Sequence, residues 1–89
     1  MKDVWVFNGV GGKFPSAIFD EQADAEKWIK KNSLTGVLTR YPVGVSVYDW
    51  AIENNHFFVG HAGQKSSDFI QKFSSAAQEH IHFENGSSD

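Results

Sequence analysis

The stretch VWVFNGVGGKFPSAIF, residues 4–19, constrains the fold more than any other part of the chain. Val4, Val6 and Asn8 share one face of an extended segment, and Trp5 and Phe7 share the other. Both faces are apolar, as in a central strand covered on two sides. The segment runs into NGVGGK, where glycines adopt positive φ at no steric cost. Extended structure resumes at FPSAIF, residues 14–19. Pro15 has no N–H for a ladder, so it belongs at the start of a strand or on an edge. Strand, glycine turn and strand make a β-hairpin, and a hairpin makes the sheet antiparallel.

The next segment, DEQADAEKWIKKN (20–32), predicts a helix. Asp20 suits the N-cap. Glu21 and Asp24 lie in the first turn, and Lys27, Lys30 and Lys31 lie toward the end, as the helix dipole favours. Ala25, Trp28 and Ile29 form the i, i+3, i+4 stripe that faces a core. LTGVLTRYP (34–42) predicts a third strand centred on 36–41 and closed by Pro42 and Gly44. SVYDWAIENN (46–55) predicts a second helix, with Ser46 and Asp49 at capping-box spacing and Val47, Trp50 and Ala51 as its stripe. Tyr48 reads as an aromatic on the flank, and residues 56–65 read as a loop.

Residues 66–84 fit two readings. Phe69, Ile70, Phe73, Ala76 and Ala77 suit one long helix. A short helix ending near Phe73, followed by a strand over 77–84, fits better, because Ser74 and Ser75 are weak helix formers and HIHF is β-like. On that strand Ala77, Glu79, Ile81 and Phe83 alternate with Gln78, His80, His82 and Glu84. The expected fold is α+β: a small two-layer domain, mostly antiparallel sheet with helices on one face, in the order β-β-α-β-α-α-β. With 89 residues it is a single domain over 1–89, with an ordered core over about 4–84 and a frayed tail at 85–89. A chain of this size buries roughly 60–65% of its unfolded surface. Here 8 Phe, 3 Trp and 2 Tyr supply much of the buried area.

The string WVFNG, FPSAIF, AEKWI, LTGVLTRYP, YDWAI and QEHIHFENG resembles a family of small bacterial domains of unknown function, over residues 4–86. The resemblance implies one compact domain and lends no catalytic residues.

Several stretches carry candidate chemistry. In EHIHFE, a strand places His80, His82 and Glu84 on one side. Two imidazoles and a carboxylate are a ligand set for Zn²⁺ or another divalent metal, with His56, His61 or Asp49 as a further ligand. The same alternation describes a wet face opposite buried Ile81 and Phe83. NGVGGK ends in lysine as a phosphate loop does, yet Phe14 follows Lys13 where that loop needs Ser or Thr and a helix, so it reads as a hairpin turn. Asp49 and Glu53 stand at i, i+4, and capping accounts for that spacing. A separate signal is aromatic. If helices cover one sheet face only, Trp5, Phe7, Phe57 and Phe58 are candidates for an exposed interaction surface.

The totals narrow the function classes. There is no cysteine, which excludes disulfides and thiolate metal sites and suits a cytoplasmic protein. The first nine residues are too short and polar for a signal peptide, and no apolar run approaches a membrane span. Residues 1–44 hold 6 Lys/Arg and 5 Asp/Glu, and residues 45–89 hold 2 and 6, for a net charge of −3. That balance disfavours nucleic acid. The expected function is a non-enzymatic domain that binds a protein partner or self-associates, of an inhibitor or immunity type, with no cofactor. The alternative is a metal-binding protein or metal-dependent hydrolase using His80, His82 and Glu84.

Overall fold

The computed structural model describes residues 2–88. Among them lie four strands, β1 (Asp3–Gly9), β2 (Ala17–Phe19), β3 (Gly36–Pro42) and β4 (His80–Phe83). There are three α-helices, α1 (Gln22–Lys31), α2 (Val47–Glu53) and α3 (Ser67–Lys72), with a 3-10 turn at Ala62–Lys65 between α2 and α3. The chain is α+β, and its element order is the one expected. The strands form one antiparallel sheet in the order β2-β1-β3-β4.

The hairpin forms as its glycines demand. Gly11 sits at φ 81° and Gly12 N–H donates to Gly9 O at 3.0 Å. Its second strand is shorter than 14–19, because Phe14 and Pro15 remain outside the ladder, and pairing begins at Ala17 opposite Phe7. Helix α1 is capped one residue later than expected. Glu21 is its N-cap without a side-chain bond, while Asp20 pairs with Lys2 at 3.3 Å.

Antiparallel partners share a face, so the register sorts the sheet. Phe7 lies opposite Leu38 and Leu38 opposite Ile81, while Gly36 lies opposite Phe83. This face, with Trp5, meets Ala25 and Ile29 of α1 to form the core. Trp28 packs against that core, edge-on to Phe7 with ring centroids 5.7 Å apart and tilted on Phe19 at 5.6 Å. Gly36 is what brings β3 this close. A Cβ there would stand 2.8 Å from the Phe7 ring and 2.9 Å from Gly9 Cα.

Strand β4 is shorter than 77–84, and the reason is a side chain. Gln78 is buried at 4% exposure, against the alternation that places it outside. Its Nε2 donates to Arg40 O at 3.0 Å. Residues 76–78 turn, and the Gln78 side chain supplies a donor to a β3 carbonyl there.

The expected fraying beyond Glu84 is also corrected for residues 85–88; Asp89 lies outside the described residues. Asn85 N–H donates to Thr35 Oγ1 at 3.0 Å and Gly86 N–H to Leu34 O at 2.8 Å. Gly86, at φ 84°, approaches the backbone of Lys30 and Ser33, where a Cβ would meet atoms at 3.2 Å.

Helices α2 and α3 gather round a second cluster. Ser46 Oγ accepts from Asp49 N–H at 3.0 Å, the expected cap. The buried residues of α2 are Tyr48 and Ala51, so Tyr48 belongs to the packed face and not to the flank. Its ring meets Phe57, Phe69 and Phe73 at centroid distances of 5.9, 6.3 and 5.4 Å. Its hydroxyl donates to Gln64 O at 2.8 Å.

Candidate functional site

Strand β4 is the last strand of the sheet, and it carries the imidazole pair. His80 and His82 are both exposed, one residue either side of Ile81, on the face away from α1. Their rings stand edge to face with centroids 5.3 Å apart. His80 Nδ1 lies 2.8 Å from Gln78 O. A carbonyl only accepts, so Nδ1 carries the proton and Nε2 of the neutral ring is left as the free acceptor.

Glu84 does not complete a triad with them. It lies past the end of β4 in a tight turn, where its N–H donates to Ser87 O at 2.8 Å. Among the described residues no group of three or more His, Cys, Asp or Glu side chains is placed to hold a metal ion. His56 packs tilted against Trp50 with centroids 5.2 Å apart instead, and His61 precedes the 3-10 turn. The expected ligand set of His80, His82 and Glu84 is thus reduced to its two histidines. Beside them lies an open depression of about 420 Å³ lined by Thr35, His82, Phe83, Glu84 and Asn85.

On the α1 face, Arg40 draws β1 and the approach to β4 together. It donates to Asp3 Oδ2 from Nη2 at 2.7 Å and from Nε at 3.0 Å, and to Glu79 Oε1 at 3.2 Å. The hydrogen bonds to Asp3, then the one to Glu79, hold the guanidinium above its usual range.

The aromatic candidates divide. Trp5 and Phe7 are buried under α1, so they are core and not an interaction surface: α1 covers the sheet face they occupy. Phe57 is engaged in the Tyr48 cluster, stacked on Phe69 at 5.8 Å. Phe58 is 72% exposed.

The larger apolar surface is elsewhere. Val10, Phe14 and Ile18, all on the β1–β2 hairpin, are 78%, 77% and 66% exposed. A groove of about 540 Å³ opens beside the hairpin, lined by Phe7, Val10, Trp28 and Leu34. The signal that locates these residues is Pro15. It removes Phe14 from the ladder, and with only three residues pairing in β2 the hairpin has little sheet to hide against.

No helix among the described residues is long and apolar enough to cross a membrane. Neither a curated protein nor a solved structure matches the chain. One family does, and its model spans residues 4–89, which takes in the core, both clusters and the β4 edge. The chain belongs to that family, described as Domain of unknown function (DUF7710).

Proposed function

We propose that the chain is a non-enzymatic interaction domain that binds a protein partner through the apolar surface of its β1–β2 hairpin. The observation that carries this reading is the exposure of Val10, Phe14 and Ile18 within nine residues of one another. Three large apolar side chains in water on so small a fold gain from being covered, and an aromatic beside aliphatic anchors is the composition of an interface core. The groove lined by Trp28 and Leu34 lies on the α1 side of the hairpin, opposite the face that Ile18 shares with Val6, and is a separate apolar recess beside Val10. An inhibitor or immunity-type role in a bacterial cytoplasm is the specific form of this proposal. The small size, the acidic balance and the absence of cysteine suit it.

The test is paired capture from the native host. A tagged chain and a Phe14→Ser/Ile18→Thr variant are compared for the proteins they retain. Both positions are exposed, so the variant should keep its melting behaviour to within about 0.5 kcal/mol. Partners lost by the folded variant support the reading. The same proteins retained by both would refute it.

A further inference from the structure

We propose that His80 and His82 are half of a divalent-metal site of the zinc class, completed when a second copy of the chain pairs its β4 edge with this one. Three observations converge on it. First, the backbone groups of the two histidines point outward. Arg40 N–H donates to Glu79 O at 2.9 Å, which makes Arg40 and Glu79 a hydrogen-bonded pair. Antiparallel pairs alternate, so Leu38–Ile81 and Gly36–Phe83 are also bonded pairs. Thr39–His80 and Val37–His82 are then the pairs whose N–H and C=O groups turn away from each other, and for β4 that direction is the open edge of the sheet.

Second, the spacing of the imidazoles matches that of a zinc-bound pair. Zn–N bonds of about 2.0–2.1 Å at a tetrahedral angle put two bound imidazole centroids about 5 Å apart. The observed separation is 5.3 Å. His80 is held by Nδ1–H donation to Gln78 O, which leaves Nε2 as the ligand atom and fixes the ring, as a carbonyl hydrogen-bonded behind a metal-bound histidine does.

Third, one chain cannot fill the site. Two imidazoles leave a tetrahedral ion half coordinated, and no third ligand joins them among the described residues. Antiparallel pairing of two β4 edges about a dyad at Ile81 sets His80 opposite His82 of the second copy. That register makes four ladder hydrogen bonds from the four outward-facing histidines. It also brings four imidazoles onto one face, the coordination number zinc prefers. Each chain carries −3, so two copies repel and the cation offsets that repulsion. The β2 hairpin is at the opposite edge of the sheet, so this proposal does not rest on the hairpin's role.

The experiment is sedimentation of the full chain with ZnCl2 or with EDTA, together with zinc content and amide hydrogen exchange. The expected result is a monomer in EDTA and a dimer in zinc holding one ion per two chains. The amides of His80 and His82 should then exchange at least about tenfold more slowly, because they have gained ladder partners. A His80→Gln/His82→Gln variant, folded by circular dichroism, should stay monomeric in zinc, and a His56→Gln/His61→Gln control should dimerise like the parent. A monomer that binds zinc, a chain that binds none, or a dimer that persists in the folded double variant would each overturn the proposal.

Discussion

The side-chain amide of Gln78 donates to the main-chain carbonyl of Arg40 at 3.0 Å, while the Arg40 N–H donates back to Glu79 O at 2.9 Å. One β3 residue is thus satisfied partly by backbone and partly by a buried side chain. Through this exchange the chain turns at 76–78 and still delivers β4 to the sheet edge in register.

Gln78→Leu is therefore expected to destabilise the fold by about 1–3 kcal/mol, since Arg40 O is left without its donor. Urea unfolding monitored by tryptophan fluorescence measures it. A change below about 0.5 kcal/mol, the level of a surface substitution, would mean that water replaces the amide without loss.

Trp28→Ala removes the ring that bridges Phe7 and Phe19. Because Trp28 packs against the core while keeping some exposure, the expected loss is about 3 kcal/mol, the low end for core aromatics. A loss under about 1 kcal/mol in denaturant melts would show that α1 does not dock through this residue.

Gly36→Ala adds a Cβ where the Phe7 ring and Gly9 backbone already crowd the site. Overpacking of this kind costs about 1–3 kcal/mol. Gly11→Ala has open space around it and meets only the penalty of φ 81°. The two variants are expected to rank with Gly36→Ala as the more damaging, and equal melting temperatures would contradict the close approach of β1 and β3.

Tyr48→Phe keeps the ring contacts to Phe57, Phe69 and Phe73 and deletes the hydroxyl donor to Gln64 O. The expected loss is about 1 kcal/mol. Its signature is local: amide exchange should quicken in residues 62–72 while β1 and β3 amides hold. Uniform quickening across the chain would place Tyr48 in the same cooperative unit as the main core.

Short-range chemistry made the hairpin legible. Glycines at the turn and Pro15 at the second strand leave few other conformations. The Ser46 cap and the Ala25–Ile29 stripe were legible for the same reason, because each involves residues within one helical turn. The exposure of His80 and His82 followed from alternation about Ile81 and Phe83, residues that gain most from burial.

What the sequence by itself determined, then, is every element whose stabilising partners lie within a few residues: the helices, the hairpin, the period of β4, and the order in which they follow. The tertiary structure alone decided which apolar residues are core and which are surface. Trp5 and Phe7 alternate with Val4 and Val6 in a strand apolar on both sides; α1 covers the Trp5 and Phe7 face, while Val4 is only half-buried and Val6 is buried on the other. Tyr48 and Trp50 are both aromatic residues on α2, and the arrival of Phe69 and Phe73 from α3 chose Tyr48. Gln78 was buried against its period because a carbonyl 38 residues away lacked a donor. Glu84 left the histidines because the tail binds Leu34 and Thr35. In each case the deciding partner is distant in the chain, so local periodicity carries no information about it.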